Sequence, residues 1–205
     1  MKGVPTAPTT HPALVGAGAA GVIAGRGSRF QEVVMEQNAQ LNFVMQQGFR
    51  EASPSGCGYQ YSSLMWQPRV TGVIVAVGLI WQLAPLFLAM SAILWWNVVF
   101  PRRNLFDALY NAFVASPPDR PRLTPAPPPR RFSQGMAASF MLGIGVSILM
   151  GWTVAAYIFE GFLVVALSAL ILGKFCLGSY IFYLVTGQAR YANQTLPWAK
   201  PSTHT

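Results

Sequence analysis

The sequence predicts an all-α integral membrane protein: four transmembrane helices arranged as two hairpins, preceded by an amphipathic helix. Three observations carry this. Charged residues make up only 10% of the 205-residue chain, against about 25% in an ordinary soluble domain. The deficit is concentrated in two uncharged apolar blocks, Val70 to Phe100 and Phe132 to Phe159, and runs of roughly 18 or more such residues are transmembrane candidates. Within the second block Gly135, Ser139, Gly143, Ser147, Gly151 and Ala155 recur at every fourth position. Four residues advance a helix by about 400°, so these positions wind slowly as one stripe of small side chains. In lipid, helices associate where such stripes let backbones approach.

Residues 1–27 read as an extended arm rich in Gly, Ala and Pro, with no composition that would fold alone. Gly16, Gly18 and Gly21 spell G-x-G-x-x-G, and Glu36 follows twenty residues after Gly16. A dinucleotide site needs a strand before that motif and a βαβ unit around it. Only Ala13, Leu14 and Val15 precede the glycines, so the segment reads as flexible chain. The Pro- and Thr-rich residues after Lys2 offer no apolar core for a signal peptide.

Residues 28–52 form the amphipathic helix. Ser28 with Gln31 makes a capping-box start and Ser53-Pro54 a stop. Phe30, Val34, Leu41, Val44 and Phe49 recur at helical spacing, with Glu32, Glu36, Gln37 and Gln40 on other faces. A helix lying on anionic lipid has a Lys/Arg-rich polar face, whereas Arg29 and Arg50 here face Glu32, Glu36 and Glu51. Docking on a protein partner is the favoured reading of that apolar face. Packing over the chain's own helix ends is the alternative.

Residues 53–69 read as a loop, in which Cys57 sits between two glycines with no base nearby to activate its thiol. Residues 70–100 make the first hairpin. As one straight helix they would measure about 46 Å, against a hydrocarbon core of about 30 Å. Gln82 and Pro85 mark the middle, and a break there is favoured over one long kinked helix because proline disfavours αR at the residue before it.

Residues 101–131 are an Arg/Pro-rich loop whose second half, PPDRPRLTPAPPPRR, is a stiff spacer. Residues 132–186 are the second hairpin, turning at Glu160-Gly161, with a second small-residue seam of Ala166, Ala169, Gly173 and Cys176 on its returning helix. Residues 187–205 are a polar tail.

Apart from Lys174, every basic residue lies in the N-terminal region, the central loop or the tail. With four spans these regions share one face, which the distribution of Lys and Arg assigns to the cytoplasm of a bacterial inner membrane. Both termini are then cytoplasmic. Trp66, Trp95 and Trp96 fall near that boundary, and Trp81 and Trp152 near the other. The net charge of +8 is explained by this juxtamembrane placement, with anionic lipid as the partner and no nucleic acid.

Little in the chain offers chemistry. The only histidines, His11 and His204, lie in the tails. No paired carboxylates, H-E-x-x-H or Cys-x-x-Cys is present, so no catalytic residue and no metal site is assigned. Lys174, near the middle of the last span, is the single weak candidate for a cofactor contact. The chain is expected to hold no cofactor of its own, with contacts to lipid, quinone or a neighbouring pigment open.

The order of hairpin, arginine- and proline-rich loop and second hairpin resembles the bacterial membrane family called domain of unknown function 4395, over about Trp66 to Thr186. Arg131-Phe132-Ser133-Gln134-Gly135 and Phe175-Cys176-Leu177-Gly178 carry the resemblance most. Members typically end in Phe-Cys-x-Gly-Cys, and Ser179 stands here where the last cysteine falls. The resemblance implies the four-helix fold and supplies no reaction.

The expected function is a non-catalytic accessory or scaffold subunit packing on other membrane protein subunits of a larger assembly. An electron-transfer complex, photosynthetic or respiratory, is the favoured one. The alternative is a small membrane carrier or thiol-redox protein acting through Lys174 and Cys176.

Overall fold

The computed structural model describes residues 16–49, 57–115 and 124–199, and the side chains of 31–49, 61–115 and 124–199. Its regular elements are all helical: α1 (Gly16–Gln46), α2 (Cys57–Trp81), α3 (Ala84–Val99), a 3-10 turn (Pro101–Arg103), α4 (Leu105–Phe113), α5 (Pro128–Leu149), α6 (Thr153–Ile171), α7 (Leu177–Val185) and α8 (Ala189–Gln194). Three stretches are long and apolar enough to cross a membrane: Tyr61–Trp81, Pro128–Leu149 and Thr153–Ile171. The apolar helix α3 has 16 residues, about 24 Å of rise.

The chain divides into two units after Glu36. The first holds most of α1. In it Val33 and Met35 are 55% and 61% exposed, and Val34 is exposed too.

In the second unit α5 is the hub, packed against α3, α6 and α7. It runs antiparallel to α3: a Cβ on Gly145 would meet Leu88, Ser91 Oγ donates to Ala138 O at 2.8 Å, and Gly135 faces Trp95 and Val98. On its other side a Cβ on Gly143 would lie 3.0 Å from the Phe159 ring of α6. Phe87, Leu94, Met141, Ile144 and Leu163 form the apolar core between these helices. A second core joins Phe43 and Val44 to Tyr61, Leu64, Met65 and Cys176.

The first hairpin breaks where proline places it. Gln82 takes φ 49°, Leu83 N–H donates to Gly78 O at 3.1 Å, and Pro85 sits in the first turn of α3, where its missing N–H costs nothing.

Several expectations are corrected. The second hairpin turns at Met150–Trp152 rather than Glu160-Gly161. Gly151 takes φ 70° there, a conformation glycine reaches without strain. Gly151 therefore leaves the four-residue stripe, and Ala155 belongs to α6, where its neighbour Ala156 is the buried residue. Ser139 is exposed and donates back to Gly135 O. Ser147 is buried. Glu160 lies buried within α6 instead of in a solvated turn.

The second seam is divided as well. Ala166 and Ala169 are on α6, while Gly173 and Cys176 fall in a break between α6 and α7. Ala169 O accepts the Phe175 N–H at 3.0 Å across that break.

At the N-terminal end, α1 already runs from Gly16 rather than starting at Ser28; five glycines among residues 16–27 weaken the helix by about 1 kcal/mol each against alanine, but no proline follows Pro12 to break it. Gly16, Gly18 and Gly21 thus lie inside a helix, which leaves no phosphate-cradling turn. The helix ends at Gln46. Gly48 turns at φ 100°, with Pro127 so close that a Cβ would lie 2.8 Å from it. The residues 57–69 read as loop are helical, as are parts of 101–131 and of the tail. The Ser53-Pro54 stop lies outside the described residues, as do 1–15, 116–123 and 200–205.

Candidate functional site

A layer of buried polar side chains crosses the second unit where α2, α4, α5 and α7 converge. It starts at α4. Asn104 caps this helix, its Oδ1 accepting from the N–H groups of Phe106 and Asp107 at 3.0 and 3.3 Å. That fixes Asp107 facing α5, where Arg130 Nη2 donates to Asp107 Oδ1 at 2.8 Å and Nη1 to Oδ2 at 3.4 Å. Both residues are buried, so the fork-to-carboxylate pair is the arrangement in which each charge is tolerated.

Arg130 extends the chain of bonds to α2. Its Nη2 also donates to Gln67 Oε1 at 3.1 Å, and Gln134 Nε2 donates to the same oxygen at 2.8 Å. Nearby, Ser63 Oγ and Tyr110 OH lie 2.7 Å apart. Arg131 clamps the end of α3 by donating from Nε and Nη2 to Val98 O at 3.0 and 2.7 Å. The sequence counts both arginines as solvated loop charges. They are instead the first turns of α5, held by groups far away in sequence.

On the next turn of α5, Ser133 meets α7. A Cβ on Gly178 would lie 2.8 Å from both Cα and Oγ of Ser133. The Ser133 hydroxyl lies 3.0 Å from Ser179 Oγ and receives the Cys176 thiol at 3.3 Å. The Cys176 N–H donates to Gln46 Oε1 at 2.8 Å, which ties the C-terminal end of α1 to the break. Lys174 stands in that break at φ 52°, with its ammonium 6.0 Å from the centre of the Tyr61 ring, a cation–π approach.

Two cavities meet this layer. One, of about 80 Å³, is bounded by Gln67, Thr71, Arg130, Ser133, Gln134 and Cys176 together with apolar side chains of α1, α2, α3 and α6. The other, of about 310 Å³, is an apolar groove among α5, α6 and α7 that shares Ser133 and Cys176 as wall residues.

The sequence-predicted residues fare unevenly. Cys176 is in the site and Lys174 borders it. Leu41, Val44 and Phe49, read as partner-docking, pack on the chain's own second core, which the sequence offered as the alternative. Val34 is exposed in the first unit, and the Phe30 side chain lies outside the described residues. Asp107, Arg130, Gln67, Thr71 and Gln134 were missed. Their signal was polar residues beside or within apolar runs, which composition reads as loop ends. Among the described residues no group of three or more His, Cys, Asp or Glu stands together to hold a metal ion.

No curated protein and no solved structure matches the chain. A family model described as a domain of unknown function (DUF4395) matches residues 64–186. The matched span includes both motifs that meet at Ser133. It covers more than half of the sequence, and the chain belongs to the DUF4395 family.

Proposed function

We propose that this chain is a non-catalytic accessory subunit that packs on other membrane proteins of a larger bacterial inner-membrane assembly. The observation that carries the proposal is in the first unit, where the consecutive apolar residues Val33, Val34 and Met35 are all exposed. Apolar area left in water costs about 25 cal/mol per Å², so a partner surface that covers this helix gains by doing so. In this reading α2, α3, α5 and α6 are the four spans. The exposed Arg102 and Arg103 beyond α3 mark the cytoplasmic side, with anionic lipid headgroups as their counter-charge.

The test is co-purification. A tagged full-length chain and a version lacking residues 2–36 are extracted in mild detergent and their companions identified by mass spectrometry, with an absorption spectrum of each. The deletion ends at Glu36 because the second unit starts at Gln37, and Leu41, Phe43, Val44 and Phe49 pack in its core. The proposal expects companions with the full chain and their loss from the shortened one. Companions retained by both would remove the arm's role.

A second reading has one observation in its favour. Cys176 lines the cavity, as a small carrier or thiol-redox protein acting through Lys174 and Cys176 would require. Thiol–disulfide exchange needs a second sulfur, and Ser179 stands beside Ser133 where the family pattern places one. Lys174→Met with Cys176→Ala abolishes turnover under this reading and alters only packing under the first.

A further inference from the structure

We infer that the cavity beneath Arg130 binds a neutral hydroxyl headgroup carried on an apolar body, a lipid-soluble alcohol or quinol. The inference is independent of the accessory role. It begins from two orphaned atoms: Thr71 Oγ1 and Gln134 Oε1 have no hydrogen-bond partner among the described residues, and their residues are only 5% and 6% exposed. Both line the cavity. A buried polar atom left unsatisfied costs about 1–3 kcal/mol, so each calls for a partner.

The polarity of the site is fixed by the network behind it. Asp107 holds Arg130, which donates to Gln67 Oε1, so that oxygen acts only as an acceptor. Gln134 must therefore turn its amide nitrogen toward Gln67, which leaves its oxygen for the cavity. Gln134 asks for a donor, and Thr71 can give or take a hydrogen bond. A hydroxyl supplies both functions. A quinone, with acceptors only, fails at Gln134, whereas its quinol succeeds. The Arg130–Asp107 pair is already charge-balanced, so the ligand is neutral.

Water alone fits less well. At about 80 Å³ the cavity has room for about two or three waters, each wanting two to four polar partners. Thr71 and Gln134, with Gln47, Ser133 and the Arg130 edge also in the wall, can hold one or two. Phe43, Leu64, Leu94 and Leu167 border much of the remainder and offer none. The adjoining groove, about 310 Å³ and sharing Ser133 and Cys176 in its wall, suits the apolar body.

The test uses the full chain in detergent and isothermal titration with four probes: dodecanol, dodecane, decylubiquinol and decylubiquinone. Saturable one-to-one binding of dodecanol is expected, with dodecane at least about tenfold weaker. Thr71→Val and Gln134→Leu should each weaken dodecanol by about tenfold. Thr71→Val is nearly isosteric and breaks no hydrogen bond, so it remains informative where Gln134→Leu fails to fold. Decylubiquinol binding well above decylubiquinone identifies a quinol as the source. Dodecanol binding with both quinoid probes inert identifies an aliphatic alcohol. Equal binding of dodecanol and dodecane, unchanged dodecanol affinity in Thr71→Val, or no saturable binding by any probe would overturn the inference and leave water as the occupant.

Discussion

Gly178 and Ser133 bring α7 and α5 together at backbone distance: a Cβ added to Gly178 would stand 2.8 Å from the Cα of Ser133. No rotation of the serine side chain relieves a clash with its Cα. The two sequence motifs that mark the family are thus one structural object, with the thiol of Cys176 and the hydroxyl of Ser179 both directed at Ser133.

Gly178→Ala should therefore destabilise the chain by about 1–3 kcal/mol, the range for overpacking a filled contact. Gly161→Ala, at a site with nothing within 4 Å of the added carbon, is the control and should be neutral or slightly stabilising in a helix interior. Unfolding by a denaturing detergent, followed by circular dichroism, measures both. Equal stability of the two variants would refute the close approach.

The Arg130–Asp107 pair is buried, and breaking one side leaves the other charge without compensation. Arg130→Met or Asp107→Leu alone should cost about 3–5 kcal/mol. The double variant Arg130→Met, Asp107→Leu should recover much of that loss, since apolar replacement of a whole buried pair is often close to neutral. The same unfolding measurement gives the coupling. Additive losses in the double variant would mean the pair is solvated.

Cys176 is buried and donates its thiol to Ser133. In a Cys57→Ser background, N-ethylmaleimide should label the folded chain more slowly than the unfolded one, and dodecanol seated in the groove that Cys176 lines should slow it further. Fast labelling of the folded chain, scored by mass shift, would place the thiol at an open surface and favour the thiol-redox reading.

Gly151 turns the second hairpin at φ 70° with open space around it. Gly151→Ala should cost about 1 kcal/mol through backbone strain alone, because a Cβ in the left-handed region is penalised. Gly151→Asn should cost less, as asparagine tolerates that region. If the alanine variant matches the native chain, the turn lies elsewhere.

The helical class, the break at Gln82 and the family motifs were legible because each rests on local chemistry: missing charge, a proline, a fixed run of residues. The turn at Gly151 was not. Glycine serves both helix seams and left-handed turns, and its place in a regular four-residue series disguised the second use. Glu160-Gly161 drew the turn because a carboxylate in an apolar run suggests water, whereas its side chain is buried in α6 with Oε1 lacking a partner among the described residues. The apolar stripe of α1 was seen, but a periodic face does not say what covers it. Val44 is buried, and Leu41 and Phe49 half-buried, by their own chain. The polar layer was hidden for a different reason. Asp107, Arg130 and Gln67 are far apart in sequence and acquire meaning only once the hairpins bring them within 3.4 Å.

Whether the chain serves by what it touches can be read from the native mass of the tagged full-length chain solubilised gently from its own membrane. It should migrate as part of a defined particle far heavier than one 22.3 kDa polypeptide in its micelle, with other membrane subunits present in fixed ratio. A monodisperse particle containing this polypeptide alone, with no companion at any detergent concentration that keeps it folded, would contradict it.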